Sequence, residues 1–251
     1  MRQATVLILG GTTEARELAG LLAGDDDLRV ITSYAGRTTD PRKPAGETRS
    51  GGFRGPAGLR AWLAAHAPAI LVDATHPFAE TVSAHAAAAD GVPRLRLVRP
   101  GWTELRGDRW LRVDSLDRAA DLVPGTGRRA LITTGRQRIA TFTTHPGCRA
   151  LPLLLVRCVE PPEIELPANV HLVLDRGPFT KESERDLLER HSIDVVVAKD
   201  SGGDATRAKL DAARERGIPV ILVDRPPSVP MPTVRTPAEA AARVRELLSG
   251  P

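Results

Sequence analysis

The chain has 251 residues, with 35 Lys or Arg against 31 Asp or Glu, a formal charge of +4 and a pI near 9.6. Its cations are mostly arginines scattered singly, which excludes a basic nucleic-acid-binding tail and suits a small anionic ligand, because a guanidinium grips carboxylate or phosphate in two places; a surface that merely follows codon use is the alternative reading. The length allows two ordinary domains, and the only cysteines, Cys148 and Cys158, lack the spacing of a metal site or redox pair, so no metal is expected.

The first apolar run, Val6 to Leu9, is too short for a signal-peptide core and no later stretch could span a bilayer, so the expectation is a soluble, cytoplasmic protein without membrane contact. That run reads as a buried parallel strand, and Thr13 to Leu22 has helical spacing. Between them, Gly10, Gly11 and Thr12 turn the chain so that backbone N–H groups converge at a helix start, where the dipole favours a phosphate. Gly10 fits the first position of the dinucleotide fingerprint and Ala15 the sixth, but Thr12 replaces the middle glycine. Thr13 and Glu14, which open the helix, are counted with the turn as cofactor contacts.

Leu28 to Thr32 predicts the second strand. An acidic residue there would hold the ribose of NAD, yet the chain continues Ser33-Tyr34-Ala35-Gly36-Arg37. A hydroxyl at Ser33 and a guanidinium at Arg37 favour the 2'-phosphate of NADPH; ordinary loop residues are the alternative reading. Further on, a strand ends in Asp73-Ala74-Thr75-His76-Pro77, and a short strand and helix run from Trp110 to Leu122 before a linker at Pro124 to Gly127. In the second half, ALITTG leads into Arg136-Gln137-Arg138, His145-Pro146 reads as a turn, and a strand ends in Lys199-Asp200-Ser201-Gly202-Gly203. The last helix starts at Thr236-Pro237 with Glu239 three residues after the cap.

An offset of 126 residues superposes the halves. Gly51 falls on Gly177, Phe53 on Phe179, Gly91 on Gly217, Pro93 on Pro219, and Arg99-Pro100 on Arg225-Pro226. Strands alternating with helices twice over predict two Rossmann-like α/β domains with parallel sheets, at 1–124 and 128–251, with the strands after Pro100 and Pro226 open to either sheet. Ligands in such sheets bind beyond the carboxyl ends of the strands. The active site is therefore expected in a cleft between the domains, with Gly10, Gly51 and Ala74 facing Gly135, Gly177 and Asp200.

Differences between the copies divide the work. The first should hold the cofactor, with Gly51, Ala74 and Thr75 joining the glycine turn; the second, where Arg136 and Arg138 replace the open turn, should bind substrate carboxylates. Ser201, Gly202 and Gly203 form a candidate anion nest. His76 can donate a proton at neutral pH and Lys199 occupies the corner equivalent to Asp73; a packed histidine and a structural ion pair to Asp73 or Asp200 are the alternatives.

These residues together resemble the precorrin-6A reductase family of cobalamin biosynthesis over nearly the whole chain. The likeness is carried by Leu9-Gly10-Gly11-Thr12-Thr13-Glu14-Ala15-Arg16, Asp73-Ala74-Thr75-His76-Pro77-Phe78-Ala79, Gly177-Pro178-Phe179, Lys199-Asp200-Ser201-Gly202 and Val223-Asp224-Arg225-Pro226. One departure is Asp200, where members of that family commonly have Asn. The resemblance implies NADPH-dependent reduction of one carbon-carbon double bond of a tetrapyrrole, precorrin-6A or its cobalt complex, to precorrin-6B. The carboxylates around that substrate suit Arg136 and Arg138. A monomer or small homo-oligomer without a nucleic-acid partner is expected. Two readings from other classes stand beside it: a non-catalytic NADP(H)-sensing module, and a twin-Rossmann sugar-nucleotide transferase, against which Ser33 and Arg37 argue.

Overall fold

The computed structural model describes residues 3–34 and 44–249, so Arg37 lies outside the described residues. Two parallel six-stranded sheets carry the chain. The first contains β1 (Ala4–Leu9), β2 (Leu28–Tyr34), β3 (Glu47–Ser50), β4 (Ile70–Asp73), β5 (Arg94–Leu97) and β12 (Thr233–Val234), in the order β12-β5-β4-β1-β2-β3. In the second, β6 (Trp110–Val113), β7 (Arg129–Ile132), β8 (Leu153–Cys158), β9 (Val170–Leu174), β10 (Val195–Lys199) and β11 (Val220–Val223) run β6-β11-β10-β7-β8-β9. The orders coincide under the duplication, and both halves are Rossmann-like.

The first sheet is covered on both faces, which is why its central strands are apolar without interruption. In β1, Val6 and Ile8 pack with Leu18 and Leu22 of α1 (Thr13–Ala23) and Val244 of α9 (Pro237–Ser249). Leu7 and Leu9 point the other way, to Leu59 and Leu63 of α2 (Pro56–His66) and Ala86 of α3 (Glu80–Ala87). The second sheet has α4 (Leu116–Thr126), α5 (Ala140–Thr143), α6 (Pro146–Arg149), α7 (Lys181–Arg190) and α8 (Ala208–Glu215). Where the first copy has the continuous α1, the second has α5 and α6, because Pro146 cannot donate to the helix ladder and starts a new turn. His145 caps that turn through Nδ1, which accepts the Cys148 N–H at 3.3 Å.

Residues 1–100 with 226–251 form one compact unit and 101–225 the other. This differs from halves divided at 124–128, and strand pairing explains the difference. β6 pairs with β11, Trp110 opposite Val220, and β12 pairs with β5, Val234 opposite Leu97. Each strand that follows an Arg-Pro thus completes the sheet of the other copy, and the chain changes unit at Pro100 and again at Arg225. Among the described residues no helix is long and apolar enough to cross a membrane.

Candidate active site

In the first unit the strand order reverses between β1 and β4, which opens a crevice beyond their carboxyl ends. Thr12 stands at this point and is buried. Its Oγ1 accepts the Ala15 N–H at 3.1 Å as the N-cap of α1 and donates to the Ala74 carbonyl at 2.8 Å. The residue that breaks the glycine fingerprint therefore joins the two loops of the crevice. A Cβ on Gly10 would lie 2.7 Å from Thr32 Cγ2, so Gly10 is set by packing; Gly11, at φ +124°, has no atom within 4 Å of that position. The turn is open beside Gly11, next to the first N–H groups of α1, which have no carbonyl within the helix to receive them.

Glu14 pairs with Arg99 at 2.6 Å, which brings a guanidinium to the same helix start. Ser33 Oγ accepts Arg49 Nη1 at 3.0 Å, across the register that sets the two residues opposite each other on β2 and β3. Arg49 also donates to the Gly51 carbonyl at 2.7 Å and lies 4.0 Å over the Phe53 ring. Arg49, Gly51, Phe53 and Trp62 line a hollow of about 660 Å³.

The loop after β4 is held by Asp73, whose Oδ1 accepts Thr75 N–H at 3.1 Å and Thr75 Oγ1 at 2.6 Å. Asp73 Oδ2 is 3.6 Å from Arg96 Nε, an ion pair longer than a hydrogen bond. His76 follows, half-buried, with Nδ1 accepting the Phe78 N–H at 3.2 Å. With Nδ1 accepting, the ring N–H left to act is that of Nε2.

The second unit reverses between β7 and β10. Its first turn runs through Thr134 and Gly135, the latter at φ +83°, into a 3-10 turn over Arg136–Arg138. Arg136 pairs with Glu160 at 3.1 Å, while Arg138 is exposed and has no ion pair among the described residues. Lys199 is the half-buried last residue of β10. Ser201 and Gly202 are buried; Gly202 and Gly203 have φ of +66° and +75°, and the Ser201 and Thr206 hydroxyls lie 3.3 Å apart.

Asp200 is tied within its own unit. Its Oδ1 accepts the Trp102 N–H at 2.9 Å, its Oδ2 accepts Arg112 Nη2 at 3.1 Å, and its carbonyl accepts Arg225 Nε at 2.8 Å. A Cβ on residue 101 would come 2.8 Å from Oδ2, which explains Gly101. Both cysteines are buried, and burial first, with Asp121 second, pushes the Cys148 thiol up to about 11, which disfavours its thiolate.

The family model for precorrin-6x reductase CbiJ/CobK matches residues 5–245. The chain belongs to that family.

A precorrin-6A reductase of Rhodococcus erythropolis is 45% identical over 228 residues, 90% of each chain. A cobalt-precorrin-6A reductase of Priestia megaterium is 29% identical over 239 residues, 88% of this chain and 90% of that one. A solved CobK precorrin-6A reductase matches with a TM-score of 0.90 at 39% identity, covering 98% of this chain and 97% of that one.

In this member of the family, the fold gathers Gly10, Gly11, Thr12, Thr13, Glu14, Ala74, Thr75 and His76 at one sheet reversal. Ser33 and Gly51 are brought together by Arg49. In the other unit, the Arg136–Arg138 turn and the Lys199 to Gly203 loop follow the two strands of the reversal. Sequence reasoning passed over Arg49 and Arg99. For Arg99 a signal existed, since it anchors the repeat with Arg225; Arg49 had none, because only strand register sets it beside Ser33.

Proposed function

We propose that this chain is an NADPH-dependent precorrin-6A reductase of cobalamin biosynthesis, reducing one carbon-carbon double bond of the tetrapyrrole to give precorrin-6B. The observation that carries the reading is membership of the reductase family across residues 5–245. Identity of 45% and 43% to relatives named precorrin-6A reductase, against 29% and 28% to relatives named for the cobalt complex, favours the cobalt-free substrate.

The first unit fits the cofactor. Gly11 leaves open space at a helix start, beside the Glu14–Arg99 ion pair, which is neutral overall. Arg49, braced on Ser33 and Phe53, presents a guanidinium suited to a 2'-phosphate, with Arg37 as a second cation from the neighbouring sequence. The nicotinamide, when bound, supplies the hydride.

Substrate carboxylates fall to the second unit, with Arg138 as the cation lacking an ion pair among the described residues and the Ser201-Gly202-Gly203 backbone as an anion nest. Arg136, already paired with Glu160, shapes the turn beside them. Of the two candidate proton donors, Lys199 is assigned that role, because one ring nitrogen of His76 is already engaged by the Phe78 N–H. His76, with Nδ1 engaged, offers its Nε2–H as a hydrogen-bond donor that orients the reacting face.

The test is anaerobic absorbance of NADPH with purified protein and precorrin-6A, the cobalt complex and NADH in parallel arms. Oxidation dependent on protein, NADPH and precorrin-6A is expected. Binding of NADPH without turnover on either tetrapyrrole would overturn the reading in favour of a sensor.

A further inference from the structure

The second unit buries a group of charges that the reaction does not use. Arg157 of β8 and Glu184 of α7 are 7% and 1% exposed, in ion contact at 2.8 Å, and the Arg157 guanidinium stacks 3.9 Å over the Phe179 ring. Lys209 of α8 is buried beside them. Its Nζ donates to the Thr206 carbonyl at 2.5 Å and lies 4.9 Å over the Trp102 ring. Burial, and then Arg157, push this ammonium down to about 7, against the opposing pull of Glu184. A leucine or methionine would fill this core at less cost, so the role of the amine is read from what it touches.

The purpose lies in what Lys209 and its neighbours hold. Thr206, whose carbonyl accepts the hydrogen bond from Lys209 Nζ, meets Ser201 through its hydroxyl at 3.3 Å. Trp102, whose ring lies under the amine, donates Nε1–H to the Gly203 carbonyl at 2.9 Å. Both ends of the Ser201 to Gly203 loop are thereby fastened to one buried side chain. The duplication supports this independently. The residue 126 positions before Lys209 is Ser83, buried on α3, whose hydroxyl lies 3.5 Å from that of Thr75. Thr75 is in turn the equivalent of Ser201. In both copies one helix position sends a polar group back to the loop after the central strand; in the second copy it is an amine with a longer reach.

We propose that Lys209 is a positioning residue for the reaction, its amine fixing the Thr206 carbonyl and the Trp102 ring so that the Ser201-Gly202-Gly203 backbone keeps the shape that receives a substrate carboxylate. This rests on the assignment of that loop to the tetrapyrrole.

The experiment compares Lys209→Met and Lys209→Arg in the full-length protein with wild type in parallel. Three readouts are taken: hydrogen exchange of amides 201–206, KM for precorrin-6A, and the NADPH dissociation constant. In the Met variant, loss of the hydrogen bond from the amine is expected to speed that exchange and raise KM, each by about tenfold. NADPH affinity should stay unchanged, and Lys209→Arg should recover most of both losses. Unchanged exchange and KM in a folded Met variant would overturn the proposal. If that variant does not fold, Lys209→Gln carries the same readouts, with the same losses expected, because its amide is one bond short of the Thr206 carbonyl. Wild type without turnover would sink the functional assignment alone, since the exchange arm still decides whether Lys209 holds the loop.

Discussion

Arg49 and Ser33 face each other on neighbouring parallel strands, and the guanidinium donates to the hydroxyl at 3.0 Å. Phe53 beneath the guanidinium and the Gly51 carbonyl complete its support, so Arg49 is held in one orientation before any ligand arrives. Arg49→Ala is expected to raise the NADPH dissociation constant roughly tenfold to a hundredfold and to alter NADH binding far less. Fluorescence titration with both nucleotides checks this, and equal losses for the two would remove Arg49 from the 2'-phosphate. Arg37→Ala should shift the same ratio in the same direction.

His76 yields a sharper test than simple deletion. Because Nδ1 accepts the Phe78 N–H, the side chain acts through Nε2–H. His76→Ala is expected to slow kcat about tenfold to a hundredfold with NADPH affinity intact. His76→Gln, whose amide still donates, should retain most of the rate. Equal losses in the two variants would mean that His76 transfers the proton itself.

Asp200 is expected to matter for stability and not for substrate charge. Its carboxylate meets the Trp102 N–H and Arg112, and both contacts lie inside its own unit. Asp200→Ala should cost about 2 kcal/mol, with Asp200→Asn less harmful because an amide oxygen can still accept from Trp102. Thermal denaturation measures the loss, and the Asn variant should keep the wild-type KM. A large KM change with unaltered Tm would return Asp200 to the substrate.

The buried Lys209 links stability to pH. Burial pushes its folded value down to about 7, below the ordinary lysine value of 10.5, so between the two the unfolded chain binds more protons and stability rises with pH. Below pH 7 the full cost of the buried charge is present; it is relieved as pH climbs toward the unfolded value. Arg157 on β8 and Glu184 on α7 are the charged groups facing it. Relative to Lys209→Met, the wild type should gain at most about 1.4 kcal/mol per pH unit above neutrality. Urea unfolding at intervals from neutral to alkaline pH would show parallel curves for the two proteins if the amine titrated normally.

Much of this was legible in the chain itself. The apolar runs of Val6 to Leu9 and Val195 to Ala198 declare strands buried on both faces, and glycine and capping signals around Gly10 to Thr13 declare the turn. These depend on neighbours a few residues apart. The engagement of Glu14 with Arg99, of Ser33 with Arg49 and of Asp200 with Trp102 was hidden, because each joins residues from 16 to 98 positions apart.

By itself, then, the sequence determined the strand and helix alternation, its duplication at an offset of 126, and the residue types gathered at the sheet ends. Tertiary structure alone decided which sheet each terminal strand completes. β5 and β11 hold equivalent places in the two sheets, and the short strands after Pro100 and Pro226 carry no local signal that prefers one over the other. That choice is made by pairing and helix packing across more than a hundred residues, and it puts the two unit boundaries at the duplicated Arg-Pro pairs. It also determines that Trp102, just past the first of these, lies beside Asp200 and Lys209 in the second unit.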